Sequence, residues 1–141
     1  MILSALIVDD DEALRRAIAR SLARKGWRVT TAANGLEGLE SLRSHRYDVV
    51  ISDVHMPQRG GLWLWEQALV LRPELRGRFV FMSSEPLPEP PSMALFVIKP
   101  LTFATLWAEV RSIVGGANGA NGEPPWGIIP DREPELFKRE A

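Results

Sequence analysis

The sequence lacks several residue types and patterns on which large classes of function depend. It has no cysteine, which excludes a disulfide framework, a thiolate zinc site and cysteine catalysis. Two histidines are too few for a histidine-rich metal site. The formal net charge is −1, and no basic run is interleaved with aromatic residues, so direct nucleic-acid binding is not expected. No apolar run approaches the roughly 18 residues of a membrane span. We therefore expect a cytoplasmic protein with no direct contact to nucleic acid or membrane.

The composition that remains is typical of a folded domain. Of the 141 residues, 45% are hydrophobic and 25% are charged, which favours a globular protein over a disordered one. This length favours one domain. The composition changes at residue 115, where GGANGANGEPP predicts a linker, and charged residues dominate beyond it. We predict a domain over residues 1–114 and a flexible Gly/Pro-rich tail over residues 115–141.

Strand-like and helix-like segments alternate through the predicted domain. Apolar, β-prone runs predict strands at 2–8, 27–31, 47–52, 79–82 and 94–98. Helical periodicity predicts helices at 11–25, around 36–42, at 62–71 and at 102–114. This alternation indicates an α/β fold with a parallel sheet that helices cover on both faces.

Periodicity also gives an expected orientation for the third predicted helix. Trp63 and Trp65 lie two positions apart and cannot share one helical face. We expect Leu62, Trp65 and Leu69 to form the buried stripe and Trp63 to point outward.

The connection between the fourth and fifth predicted strands is unusual. It consists of nine residues, EPLPEPPSM at 85–93, four of which are proline. Proline removes backbone donors and disfavours helical geometry in the preceding residue. An extended segment of this length spans about 30 Å, which is longer than a strand. The sequence therefore predicts an extended loop where a crossover helix is usual. We expect this loop, the tail or a second subunit to cover the exposed sheet.

Polar and charged side chains follow four of the predicted strands. Asp9 and Asp10 follow the first strand, Asp53 the third, Ser83 the fourth and Lys99 the fifth. The carboxyl ends of parallel strands share one edge of the sheet, so these residues are expected to meet there. Three neighbouring carboxylates repel one another, and Mg²⁺ bound by oxygen ligands relieves that repulsion. The sequence thus predicts a Mg²⁺ site beside a phosphoryl group, with a carboxylate able to act as nucleophile.

Four motifs at these strand ends resemble the receiver domain of two-component response regulators, the CheY-like family. In chain order they are LIVDDDEALR, ISDVHMP, FMSS and VIKP. Each motif is weakly specific alone, but the four in this order over residues 2–114 are highly specific. The resemblance implies a flavodoxin-like, doubly wound sheet of five parallel strands, here with the fourth helix replaced by the Pro-rich loop.

The resemblance also implies how the acidic residues act. Asp53 is the phosphoacceptor, and a histidine kinase or histidine phosphotransfer protein is its donor. Asp10, Asp53 and the backbone carbonyl of His55 bind Mg²⁺, and Asp9 supports the metal.

The resemblance assigns the remaining site residues to signalling. Lys99 contacts a phosphoryl oxygen, and Ser83 hydrogen-bonds to the phosphoryl group once Asp53 is modified. Phe96 occupies the position of the aromatic switch residue, which turns inward when the hydroxyl moves. The charge that the phosphoryl group adds shifts the equilibrium between two conformations of the domain.

A second face of the first predicted helix carries Arg16, Arg20 and Arg24. Such a stripe is usually solvated. The resemblance makes a kinase-docking role the alternative.

These inferences predict a stand-alone response-regulator receiver that signals to an unknown downstream protein. It is not an enzyme, apart from catalysing its own phosphorylation and dephosphorylation. One alternative is a constitutive interaction scaffold with a receiver fold. The other is a haloacid-dehalogenase-type phosphohydrolase, which Asp9, Asp11, Ser83 and Lys99 superficially fit but in which Asp53 has no role.

Overall fold

The computed structural model describes residues 2–115. Within that range, every predicted strand and helix is present. The elements are β1 (Ser4–Val8), α1 (Glu12–Arg24), β2 (Arg28–Ala32), α2 (Gly35–Ser44), β3 (Val49–Asp53), α3 (Gly61–Leu71), a 3₁₀ turn (Pro73–Leu75), β4 (Phe79–Ser83), β5 (Leu95–Ile98) and α4 (Phe103–Gly115). Apart from Gly115, the predicted tail lies outside the described residues.

The five strands form one parallel sheet in the order β2-β1-β3-β4-β5. The chain runs from β1 outward to β2, then crosses back over β1 to β3 and continues in the other direction. The strand order therefore reverses between β1 and β3, and the site of such a fold lies at the carboxyl end of that point. This is the predicted doubly wound, flavodoxin-like architecture, and the prediction is confirmed.

The hydrophobic core consists of two layers, one on each face of the sheet. Side chains alternate along a strand, so Ala5 and Ile7 of β1 face α1 and α4, whereas Leu6 and Val8 face α2 and α3. All four are fully buried. Burial on both faces explains why β1 is a continuous apolar run rather than an alternating one.

The predicted orientation of α3 is wrong. Leu64 and Ala68 are buried against the sheet. The four larger residues that flank them are half-buried: Leu62, Trp63, Trp65 and Leu69. Because α3 is apolar on almost every side, periodicity alone does not fix its buried face. The small buried residues Gly61 and Ala68 allow α3 to approach the sheet closely.

The predicted Pro-rich loop is confirmed, since the described segment 84–94 contains no helix between β4 and β5. Leu87 from this loop packs against the core layer that contains Phe79 and Phe81. Phe96 of β5 stacks on Phe81 with ring centroids 5.3 Å apart. The loop and the aromatic stack thus cover part of the sheet face that a crossover helix would bury. Cover by a second subunit stays a prediction.

Within residues 2–115, none of the helices combines the length and apolar character that crossing a membrane requires.

Gly61 at the start of α3 sits directly against the end of β3. A Cβ atom there would overlap the Asp53 carbonyl oxygen and lie 3.0 Å from Ser52 Oγ. We therefore expect Gly61→Ala to lower the free energy of unfolding by about 1–3 kcal/mol, because the backbone of α3 or of Asp53 must move to make room for the methyl group. Urea denaturation followed by tryptophan fluorescence measures this change.

Gly115→Ala is the matched control, because its Cβ would meet only Arg111 Cγ, at 3.7 Å. Because the added methyl group would make only an ordinary van der Waals contact, the free energy of unfolding should change by no more than about 0.5 kcal/mol. Equal effects of the two substitutions would contradict the close packing of α3 on β3.

Candidate functional site

Three carboxylates meet at the carboxyl edge of the sheet. Asp9 and Asp10 directly follow β1, and Asp53 ends β3, which pairs with β1. One oxygen of each carboxylate lies within 4.8 Å of the others. Asp9 and Asp53 are buried, whereas Asp10 is exposed. Three hard oxygen donors with one side open to solvent fit Mg²⁺, which keeps several waters when it binds to proteins.

The Lys99 ammonium bridges two of these carboxylates. Its Nζ lies 3.2 Å from Asp9 Oδ2 and 3.3 Å from Asp53 Oδ2. The Lys99 backbone N–H donates to the Ser83 carbonyl at 2.8 Å, which holds this residue beside β4. The Lys99-Pro100 peptide bond is cis. Residues from β1, β3 and the end of β5 therefore form one ion-paired cluster.

Burial controls the ionisation of the cluster. It raises the pKa of Asp9 to about 6, although the Asp11 backbone N–H and Lys99 act in the opposite direction. Burial also raises the pKa of Asp53, and Lys99 again opposes the change. Burial alone would lower the pKa of Lys99, but the charges of Asp9 and Asp53 raise it above its usual value. One ammonium thus offsets only part of the cost of burying two carboxylates, so a second cation would stabilise their ionised forms.

Arg15 supports the site, and the sequence reasoning missed it. Its Nη1 donates to the Asp9 backbone carbonyl at 2.8 Å. The Asp11 backbone N–H donates to Asp9 Oδ1, also at 2.8 Å, and the Asp11 side chain caps α1 by accepting from Leu14 N–H. The first turn of α1 therefore holds Asp9 in place. The only available signal was an arginine one turn after a capping aspartate, a pattern too common to be informative.

Ser83 and Phe96 lie on the strands next to the carboxylate cluster. Ser83 is buried, and its Oγ donates to the Glu85 carbonyl at 2.6 Å and accepts from the Glu85 backbone N–H at 3.2 Å. This hydroxyl therefore fixes the first turn of the Pro-rich loop. Phe96 is half-buried on Phe81. His55 follows Asp53 by two residues, and its side chain is exposed.

The loop between β3 and α3 links the site to α2. Gln58 and Arg59 both have positive φ angles, 51° and 78°. The Gly35 N–H donates to the Arg59 carbonyl at 2.9 Å, and Asn34 Nδ2 donates to Gln58 Oε1 at 3.2 Å. Left-handed backbone is usual for glycine or asparagine, so two non-glycine residues gave no signal of this link in the sequence.

Comparison by sequence supports the same family that the motifs resemble. A family model described as the response regulator receiver domain matches residues 5–85. The transcriptional regulatory protein CseB of Streptomyces avermitilis is 31% identical over 128 residues, which are 84% of this chain and 53% of that protein. The chain spans about half the length, or less, of the curated relatives it matches.

Comparison by structure gives the same fold. Chemotaxis protein CheY4 of Vibrio cholerae superposes with a TM-score of 0.72 at 26% identity, covering 80% of this chain and 99% of that one. A CheX-CheY-BeF₃-Mg²⁺ complex from Borrelia burgdorferi superposes with a TM-score of 0.71 at 23% identity, covering 79% of this chain and 88% of that chain.

The raised pKa of Asp9 predicts a gain in stability for Asp9→Asn. The folded-state pKa is about 6 and the unfolded value is near 4. Between about pH 4 and pH 6 the folded state therefore binds more protons than the unfolded state. The native protein gains stability as the pH falls through this range and loses it as the pH rises through 6. Without metal, we expect Asp9→Asn to raise the free energy of unfolding by about 1–3 kcal/mol at pH 7.5.

Urea denaturation in EDTA at pH 7.5 and pH 4.5 measures this effect. The advantage of the variant should shrink at the lower pH, because Asp9 of the native protein is then largely protonated. The exposed Glu66→Gln variant should show no such pH-dependent gain. A less stable Asp9→Asn protein at pH 7.5 would contradict the cost assigned to the buried charge.

Proposed function

The chain belongs to the response regulator receiver domain family of two-component systems, and from this we propose that Asp53 accepts a phosphoryl group from the histidine of a kinase or phosphotransfer protein. The observation that carries the proposal is the Lys99 ammonium, which lies within 3.3 Å of both the Asp9 and Asp53 carboxylates. A lysine whose ammonium is drawn to a sheet edge by two buried carboxylates is placed to hold a phosphoryl oxygen. A receiver of this kind is a phosphoacceptor switch rather than an enzyme with turnover of its own.

In the proposed step, an Asp53 carboxylate oxygen attacks phosphorus. The bond from phosphorus to the donor imidazole nitrogen breaks, and that nitrogen keeps the electron pair. The Lys99 ammonium holds a phosphoryl oxygen and offsets the charge that accumulates on it. Transfer of this kind depends mainly on positioning and charge stabilisation, which the ion-paired cluster supplies.

Three carboxylates and one carbonyl would hold Mg²⁺. Asp10 and Asp53 would bind it directly together with the backbone carbonyl of His55, and Asp9 would support it. When bound, the ion supplies positive charge to the phosphoryl oxygens. Asp10 is the exposed carboxylate of the group, so the ion and its waters would enter from that side.

Ser83 is the proposed link between phosphorylation and output. A phosphoryl group on Asp53 brings strong acceptor oxygens that compete with the Glu85 carbonyl for the Ser83 hydroxyl. When the hydroxyl moves, the first hydrogen bond of the Pro-rich loop is lost and Phe96 turns inward. Since β4 and β5 are joined by that loop rather than by a helix, the signalling surface would include the loop and the outer side of β5, where a downstream protein or a second subunit binds.

The two alternatives make different demands on Asp53. A constitutive scaffold would bind its partner equally well with or without a phosphorylatable residue at this position. A phosphohydrolase would not need Asp53, whereas the structure places its carboxylate in an ion pair with Lys99.

Asp53→Asn should abolish modification by acetyl phosphate in the presence of Mg²⁺, because the amide cannot act as the nucleophile. Intact-protein mass spectrometry should detect one phosphoryl group on the native chain and none on the variant. Beryllofluoride with Mg²⁺ should change tryptophan fluorescence only in the native chain.

The matched control is Asp48→Asn, which makes the same chemical change immediately before β3, at the opposite end of that strand from Asp53. This variant should be modified like the native protein. Modification that persists in Asp53→Asn, or that needs no divalent metal in the native chain, would contradict the proposal.

Ser83→Ala should separate phosphorylation from its structural effect. Asp53 should still be modified, because Ser83 does not supply the nucleophile. Hydrogen exchange at residues 85–93 should then respond to beryllofluoride in the native chain but not in the variant. Ser84→Ala, an exposed neighbour, should respond as the native chain does. An unchanged response in Ser83→Ala would show that the hydroxyl is not the link.

A further inference from the structure

A strip of the sheet beside α3 has no helix over it. Within residues 2–115, β4 and β5 are the only consecutive strands that a helix does not join. The steps from β1 to β3, from β3 to β4 and from β4 to β5 all run in one direction across the sheet. Right-handed crossovers therefore place these connections on one face, the face that carries α2 and α3. The strip over β4 and β5 is about one helix wide, since strands lie about 5 Å apart and a helix is about 10 Å across.

Three half-buried apolar side chains of α3 point toward this strip. Spaced by three and four residues, they share one side of the helix: Leu62, Trp65 and Leu69. Trp63 lies on the other side. The Arg59 guanidinium is 5.3 Å from the centre of the Trp63 ring, and the Arg59 carbonyl accepts from the N–H of Gly35, the first residue of α2. The Trp63 side of α3 thus faces α2, and the opposite side faces β4 and β5.

The Pro-rich loop and β5 continue the apolar surface. Leu87, Ala94 and Phe96 are half-buried and pack against the same core layer as the α3 side chains. We call the six residues together the open face: Leu62, Trp65, Leu69, Leu87, Ala94 and Phe96. In soluble proteins, a partly exposed apolar surface of this kind with a polar rim marks an interaction site.

The rim of the open face is acidic. Glu66 lies one helical turn from Leu62, and Glu85 and Glu89 lie two residues before and after Leu87. All three glutamates are exposed, and none forms an ion pair in the described part of the chain. Neither α3 nor the Pro-rich loop contains a basic residue. The complementary surface is therefore apolar with a basic border.

We propose that the open face binds an amphipathic helix of a partner protein, with an apolar stripe bordered by lysine or arginine. The partner helix takes the place over β4 and β5 that a crossover helix of the chain itself would fill. The open face consists of side chains rather than of a free backbone edge, so it suits a helix and not an added strand. Docking requires no phosphorylation, so it stands or falls separately from the function proposed for Asp53.

Nuclear magnetic resonance titration of the full, isotope-labelled chain tests this docking. The probe is a synthetic peptide of about 14 residues, slightly longer than α3, with leucine at helical spacing and lysine elsewhere. The control peptide has the same composition in strict alternation, which presents no apolar stripe on a helix. We expect saturable shift changes centred on the open face with the helical peptide, and binding of the control that is at least roughly tenfold weaker.

Two neighbouring residues of α3 supply matched variants. Leu69→Gln should weaken binding of the helical peptide by about tenfold, because it removes an apolar contact from the open face. Val70→Gln changes the next residue, which is 84% exposed and lies outside the open face. Its affinity should stay within about twofold of the native value. Circular dichroism should show that both variants are folded.

The acidic rim is tested by two variants of equal net charge. Glu85→Gln with Glu89→Gln should weaken binding by roughly fivefold at low salt, because two attractive contacts are lost. Glu12→Gln with Glu40→Gln removes the same charge from exposed positions on α1 and α2. This second variant should bind the helical peptide as the native chain does.

The proposal fails if the helical peptide causes no saturable change, or if it binds no better than the alternating peptide. It also fails if another occupant already covers the open face. Nuclear Overhauser contacts of Trp65 with residues 116–141 in the free chain would assign the face to the chain itself. A dimer in light scattering that Leu69→Gln converts to a monomer would assign it to a second copy.

Discussion

The Lys99 ammonium between the Asp9 and Asp53 carboxylates is the interaction on which the rest of the site depends. It joins the ends of three strands whose residues lie up to 90 positions apart in sequence. Burial makes both carboxylates costly to ionise, and one lysine compensates only in part. Further positive charge would therefore stabilise the cluster, and this is the physical basis of the proposed Mg²⁺ and phosphoryl site.

The same lysine connects the charged cluster to the element that would transmit the signal. Its backbone N–H is bound to the Ser83 carbonyl, while the Ser83 hydroxyl holds Glu85 at the start of the Pro-rich loop. In this chain the loop replaces a helix, and Leu87 and Phe96 cover part of the sheet instead. Under the proposed function, a change at Asp53 would reach a segment with little regular structure, in which few backbone hydrogen bonds need to break.

The fold and the central residues of the site could be predicted because they follow from simple rules. Parallel strands bring their carboxyl ends to one edge, so Asp9, Asp53 and Lys99 had to meet whatever their separation in sequence. Four prolines made a helix at 85–93 implausible. The buried face of α3 could not be predicted, because the helix is apolar on several sides. The packing of Leu64 against the sheet determines which side is buried. The left-handed backbone at Arg59 depends on contacts with α2 that leave no trace in local sequence.

A crystal structure of the chain grown with Mg²⁺ and beryllofluoride tests the central claim most directly. The expected result is a metal ion bound by the Asp10 and Asp53 carboxylates, with beryllofluoride on Asp53 and Lys99 Nζ in contact with a fluoride. Well-separated carboxylates of Asp10 and Asp53, or a Lys99 side chain turned into solvent, would contradict it.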